Sequence, residues 1–196
     1  MQAPNPERRS ERARHAILTA AIELCLEQGF AKVTMEGIAR QAGVGKQTIY
    51  RWWPSKAAVL QEALNERIGG QTDFPDTGDI RADLRTQMNG VVKLFRSEGF
   101  VPYVGLIAAA QSDPELAKSL FVSIVEPRVR ACRERLERAQ EQGEVREGVD
   151  LEVAVEILYG PLYYRLLLHP RPPSTDQVKA ILELAFDGLG LEAAEP

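Results

Sequence analysis

Residues 34–56 read TMEGIARQAGVGKQTIYRWWPSK, and this stretch constrains the fold more than any other. Thr34 is a good N-cap for a short helix over about 35–42. Gly43 follows, and a second short helix covers about 46–53 before Pro54 ends it. Two short helices joined by three or four residues must cross closely. Ala39 is small enough to stand at the crossing, and Gly43 supplies the residue tolerant of positive φ that a tight turn needs. Ile38, Ala42, Val44 and Ile49 fall where apolar contacts pin the pair. The outer face of the second helix then carries Lys46, Gln47, Thr48, Tyr50, Arg51 and Trp52. A hairpin buried in a core has no reason to present Tyr50, Arg51 and Trp52 together.

The rest of the chain reads as helix, with no convincing strand and no internal repeat. A first helix runs from about 8 to 28, with Ile17, Ala20, Ala21 and Leu24 near a 3.6-residue period, and Gly29 stops it. Ser55 caps a fourth helix to about 68. Residues 69–78, rich in glycine and proline, mark the boundary between two parts. Beyond it, Asp79 opens a helix to about 97, and an apolar segment covers about 100–111. Ser112-Asp113-Pro114-Glu115 starts a helix to about 142, bent at Pro127 because proline removes an amide donor and crowds the preceding turn. Asp150 caps a helix to His169, and Ser174 with Gln177 opens the last one, to about 189. The expected fold class is all-α, about nine helices in total. Residues 1–9 are expected as a disordered basic arm, 10–68 as a helix-turn-helix domain with its linking fourth helix, and 79–190 as a C-terminal bundle.

Charge separates along the same boundary. The 196-residue chain has a formal net charge of −4. Residues 1–67 carry ten Lys and Arg against seven Asp and Glu, whereas 68–196 carry fourteen against twenty-one. A polyanionic partner therefore belongs to the N-terminal part. The outer face of the second short helix mixes side chains of backbone-binding and base-reading types, so duplex DNA is the expected partner. Arg8, Arg9, Arg12 and Arg14 admit two readings, an arm on the phosphates or groove and a solvated tail. Cys25 and Cys132 read as small buried hydrophobes. His15 and His169 are too far apart in sequence to build a zinc motif, and no metal or cofactor is expected. The absence of a Ser-His-Asp order, a phosphate loop and metal spacing argues against an enzyme. No apolar run reaches the roughly 20 residues of a membrane span, and no apolar segment follows the first basic residues, so a cytoplasmic protein is expected.

At this point the sequence resembles the TetR family of bacterial repressors. The matching residues are Thr34, Ile38-Ala39, Ala42-Gly43-Val44, Thr48-Ile49-Tyr50 and Trp53-Pro54-Ser55-Lys56. Ile17-Leu18, Ala20-Ala21, Leu24 and Gly29-Phe30 precede them in the family's first-helix pattern. Gly160 to Leu167 is the most recognisable stretch of the remainder. The resemblance implies a ligand-responsive repressor that binds a palindromic operator as a homodimer. It implies that the amides at Thr34 and Met35 hold a phosphate, that Thr48, Tyr50 and Lys56 contact the DNA backbone, and that Lys46, Gln47, Arg51 and Trp52 lie where bases are read. Trp53 fits the buried aromatic position. Trp52 departs from the histidine, arginine or tyrosine often found there.

For the C-terminal region, the resemblance implies a pocket for a small, largely apolar effector. Met88, Val92, Phe95, Tyr103, Val104 and Ile107 would line it with Phe121, Ile124, Tyr159 and Tyr163; a solid core is the competing reading of the same residues. The helix from Asp150 is apolar nearly all round, as is the last one, which suits burial on two faces. Leu158, Leu162, Leu166, Ile181, Leu182, Ala185 and Leu189 are the expected dimer contacts; the competing reading makes both helices internal core. The alternative function is a DNA-binding regulator or architectural protein without a small-molecule effector.

Overall fold

The computed structural model describes residues 6–69 and 73–188, with side chains from residue 10 onward. Among the described residues every regular element is helical. In chain order these are α1 (Pro6–Gln28), α2 (Met35–Gln41), α3 (Lys46–Trp52), α4 (Lys56–Ile68) and α5 (Ile80–Phe95). Then come α6 (Val101–Ala110), α7 (Pro114–Leu120), α8 (Glu126–Glu141), α9 (Leu151–Leu167) and α10 (Thr175–Asp187). Helix α7 runs on into α8 through a π-helical turn, Phe121–Val125, so counted as one continuous segment they bring the helices among the described residues to nine. Residues 6–9 belong to the first turn of α1, so the expected disordered arm does not include them. Proline is preorganised for a first helical position, where no amide donor is needed. The expected arm's residues 1–5 lie outside the described residues, as do the side chains of Arg8 and Arg9.

The described chain divides into two compact units. The first holds the N-terminal helices together with residues 97–126; the second holds 73–96 and 127–188. The expected boundary at 69–78 is thus only one of the crossings. In the first unit α1 packs on α2, α4 and α6. Ile17, Ile22, Ile38, Ile49, Leu60, Leu64, Tyr103 and Leu106 are fully buried there. Helix α6 comes in close: a Cβ on Gly105 would stand 3.2 Å from Phe30 Cβ. The π turn lies just before Pro127, whose missing N–H leaves the Ser123 carbonyl without its helical donor. Asn65 Nδ2 on α4 donates to that carbonyl at 3.0 Å.

The second unit packs α5, α9 and α10 on one another. Its core contains Leu84, Met88, Val92, Leu136, Val155, Leu158, Leu162, Val178, Ile181 and Leu182. This corrects the expected dimer surface: Leu158, Leu162, Ile181 and Leu182 are buried inside one chain. Leu166 is half-buried, Ala185 is exposed, and Leu189 lies outside the described residues. The opposite stripe of α9 faces outward instead, with Val153, Ile157 (54% exposed) and Tyr164. The expected pocket set is divided as well. Met88 and Val92 are core of the second unit; Tyr103 and Ile124 are core of the first. Phe121 is exposed, and Val104, Ile107, Phe95, Tyr159 and Tyr163 are half-buried. Within the second unit a groove of about 350 Å³ is lined by Asn89, Val92, Lys93, Arg96, Ser174 and Thr175. Burial pushes the Cys25 thiol up to about 11 and the Cys132 thiol up to about 12, so both stay protonated. No helix among the described residues is long and apolar enough to cross a membrane.

A buried ion pair ties the second unit to the segment that enters it. Arg135, 0% exposed, donates from Nη2 to Asp83 Oδ2 at 2.7 Å and from Nε to the Pro75 carbonyl at 3.3 Å. Asp83 also accepts from the Thr77 amide at 3.1 Å and the Thr77 hydroxyl at 2.7 Å. Burial alone would raise the Asp83 carboxyl, but Thr77 and Arg135 outweigh it and hold it below the usual carboxylate range. Removing one partner leaves a buried charge uncompensated. Arg135→Met is therefore expected to cost about 3–5 kcal/mol in denaturant titrations. Because the folded value of Asp83 is depressed, its contribution is fully present above the unfolded carboxylate pKa, about 3.9. It is lost as pH falls through the folded value, so Asp83→Asn should flatten the acid limb of a stability-versus-pH curve.

Candidate nucleic-acid interface

Helices α2 and α3 form the crossing expected of them. Thr34 caps α2, its Oγ1 accepting from the Gly37 amide at 3.0 Å. At the far end Gly43 takes φ +67°, and the Val44 amide donates to the Ala39 carbonyl at 2.9 Å. That bond closes the helix end in the manner of a glycine C-cap. Ala39 is buried at the crossing, and Ile49, 0% exposed, anchors α3 from below. A Cβ on Gly43 would touch nothing within 4 Å, so strain in φ is the whole objection to a side chain there.

With Ile49 inward, α3 turns Lys46, Gln47, Tyr50 and Arg51 outward, and Tyr50 is 49% exposed. Thr48 and Trp52 are half-buried. Trp52 meets Trp53 edge to face at 5.4 Å, and the Arg51 guanidinium lies 5.5 Å from the Trp52 ring centre. Trp52 is thus a shelf under Arg51, restricting the wagging of a long cation. Trp53 is core, as expected, and its Nε1 donates to Glu62 Oε2 on α4 at 2.6 Å. Glu62 also accepts from Arg14 Nε at 2.7 Å, and Arg14 reaches Glu66 at 2.6 Å. Arg14 is therefore a brace between α1 and α4, which removes it from the arm.

The Met35 side chain is buried, and the expectation for it concerned only its backbone amide. One assigned contact has another role in this structure. Lys56 Nζ donates to the carbonyls of Phe30 (2.9 Å), Ala31 (3.1 Å) and Val33 (2.8 Å), and it lies 4.6 Å from the Phe30 ring centre. An ammonium has three protons, and all three are committed. The reason is local: residues Phe30–Lys32 form a 3₁₀ turn with outward carbonyls, and the start of α4 faces them.

Glu36 was not among the sequence candidates. Its Oε1 accepts from Tyr50 Oη at 3.3 Å and stands 3.4 Å from Lys46 Nζ. Its own backbone amide is the largest influence and holds the carboxyl below the usual range; burial opposes it, and Lys46 and Tyr50 add smaller lowering effects. The only signal in the sequence is the i, i+4 spacing of Lys46 and Tyr50 on one face of α3. Their partner on another helix leaves no such trace.

Residues 17–63 match the profile of bacterial regulatory proteins of the tetR family, and residues 74–185 match the tetracyclin repressor-like C-terminal domain. An HTH-type transcriptional regulator of Bacillus subtilis, YdeS, is 34% identical over 99% of this chain and 98% of its own length. This chain belongs to the TetR family. It is a DNA-binding transcriptional regulator with an N-terminal helix-turn-helix. The crystal structure of the TetR-family regulator SCO0332 superposes with a TM-score of 0.78 at 37% identity, covering 91% of this chain and 99% of that one. Thermus thermophilus FadR, a repressor solved with lauroyl-CoA, gives 0.63 at 25% identity over 93% and 98%.

The Lys56 geometry separates scaffold from contact. Lys56→Met should lower stability by about 2 kcal/mol, the scale of hydrogen bonds from a charged donor, in thermal or denaturant unfolding. The slope of log affinity for DNA against log salt should stay unchanged; a direct phosphate contact would reduce it by about one unit. Gly43→Ala should cost about 1–2 kcal/mol through backbone strain alone.

Proposed function

We propose that this regulator is a homodimeric repressor that places α3 of each protomer in the major groove of a palindromic operator. The observation carrying this is the two-sidedness of α3, with Ile49 fully buried and Lys46, Gln47, Tyr50 and Arg51 exposed together. Thr48 and Tyr50 serve the phosphates; Lys46 and Trp52, expected among the base readers, are reassigned, Lys46 to the phosphates as a point charge and Trp52 to supporting Arg51, which reads bases with Gln47. Phosphate contacts set register and orientation, whereas the two long polar side chains carry sequence preference. Lys46→Ala and Tyr50→Phe should weaken binding to all sequences, and Lys46→Ala should also reduce the salt slope by about one unit. Arg51→Ala should relax preference at one base position of a site selected from random DNA. Unchanged binding in all three variants would refute the interface.

The dimer surface we propose is the outward stripe of α9, with Val153, Ile157, Gly160 and Tyr164 at helical spacing, and Leu184 and Ala185 of α10. A row of exposed apolar residues of this size is costly in water and suits a self-complementary twofold contact. A twofold pair of recognition helices about 34–36 Å apart fits successive major grooves. Ile157→Glu should convert the dimer to monomer in analytical ultracentrifugation and abolish tight operator binding while leaving the fold intact.

We further propose that a small effector with an apolar body releases the operator. The lauroyl-CoA of T. thermophilus FadR is an acyl chain on an anionic head. The groove beside Lys93 and Arg96 offers this chain cationic groups next to apolar Val92. Effector and operator would oppose each other reciprocally, because each favours a different conformation. A screen of acyl thioesters and other apolar anions against operator affinity tests this.

A further inference from the structure

The DNA-facing side of α3 is already occupied by an acid from the chain itself. Glu36 stands in the first turn of α2, and one oxygen, Oε1, accepts from Tyr50 Oη at 3.3 Å and lies 3.4 Å from Lys46 Nζ. Lys46 and Tyr50 are one turn apart on α3, so the carboxylate spans both. A phenol has a single proton to donate. While Tyr50 donates to Glu36 it cannot also donate to a phosphate oxygen, and an ammonium paired with a carboxylate presents less charge to the duplex. We propose that Glu36 is a built-in competitor for DNA, a latch that holds the phosphate-binding groups of α3 until a phosphate displaces it.

The inference rests on the DNA-binding role proposed for α3. Displacement transfers Tyr50's hydrogen bond and the Lys46 ion pair from carboxylate to phosphate, with no change in covalent bonding. Both exchanged contacts are sequence-independent, so the latch lowers affinity for every duplex. The ratio between operator and random duplex stays with the base contacts of Gln47 and Arg51, because specificity is a difference of affinities and the latch subtracts equally from both. Glu36 therefore shortens the time the regulator spends on any duplex and sets its overall affinity. The contacts are exposed, so the effect is modest: pairs of this kind are individually weak.

The test uses the full-length protein, an operator obtained by selection from random DNA, and an unrelated duplex of equal length. Glu36→Gln, which removes the charge, is expected to bind both duplexes about 3- to 10-fold more tightly at low salt. Glu36→Asp keeps the charge but is one methylene too short to span Lys46 and Tyr50, and it should reproduce part of the gain. Combined with Lys46→Ala and Tyr50→Phe, Glu36→Gln should lose most of its effect. Equal or weaker binding by Glu36→Gln at unchanged thermal stability would overturn the latch and make Glu36 a brace for α2 and α3. An undiminished gain in the triple variant would also overturn it, because the carboxylate would then act on the duplex only through its charge. If the wild-type protein selects no sequence and binds no duplex, the DNA-binding reading fails and takes the latch with it. Wild-type binding without a gain in Glu36→Gln removes the latch alone.

Discussion

The ammonium of Lys56, donating to three backbone carbonyls between Phe30 and Val33, is the joint on which the helix-turn-helix geometry depends. The turn itself supplies one internal bond, from the Val33 amide to the Phe30 carbonyl at 3.3 Å, and the ammonium adds a donor to each of the three carbonyls. Thr34 follows at once and caps α2, so the position of the turn sets the start of the helix-turn-helix. Phe30 from the same turn lies under the ammonium and against Gly105 of α6. One cation thus connects α4, the turn, α2 and α6 inside the first unit. Its value lies in commitment: three short bonds fix a lysine that would otherwise sample many rotamers.

A second layer of fixing uses acids. Glu62 receives both Trp53 and Arg14, locking the buried end of α3 to α1 through α4. Asp83 does the same in the second unit, where Arg135 and Thr77 converge on it. Both carboxylates are structural, and each joins a near neighbour, Trp53 or Thr77, to an arginine far along the chain, Arg14 or Arg135. Glu36 belongs to neither layer. It faces outward, holds side chains proposed to contact DNA, and makes bonds weak enough to exchange. The distinction is one of solvent access: the buried Asp83 pair is costly to break, whereas the exposed Glu36 contacts can be replaced by others of the same kind.

The helix count, the all-α class, the crossing of α2 and α3 and the buried Trp53 were all legible in the residues, because each follows from local rules. Gly43 takes a positive φ that few other residues tolerate, Thr34 caps the amides three residues on, and Ile49 lies on the inner side of a helix otherwise polar and aromatic. The partners of Lys56 and Arg14 were not legible, for a single reason. A cation reads the same in sequence whether it meets a phosphate, a carbonyl cluster or a distant glutamate.

Helix α9 marks the limit most clearly. Its sequence is apolar on two stripes, Val155, Leu158 and Leu162 on one side and Val153, Ile157 and Tyr164 on the other. Periodicity established that both faces want burial, and nothing in it ranks them. Packing against α5 and α10 decided: the leucine stripe entered the core of its own chain, and the Ile157–Tyr164 stripe stayed outside. The sequence by itself determined the elements, the turn and the outward surface of α3, since these depend on neighbours within a few residues. Only the tertiary structure decided which apolar face is internal, which cations are spent on scaffold and which acid stands beside Tyr50. Those outcomes depend on residues brought together from separate helices, and no local spacing records the meeting.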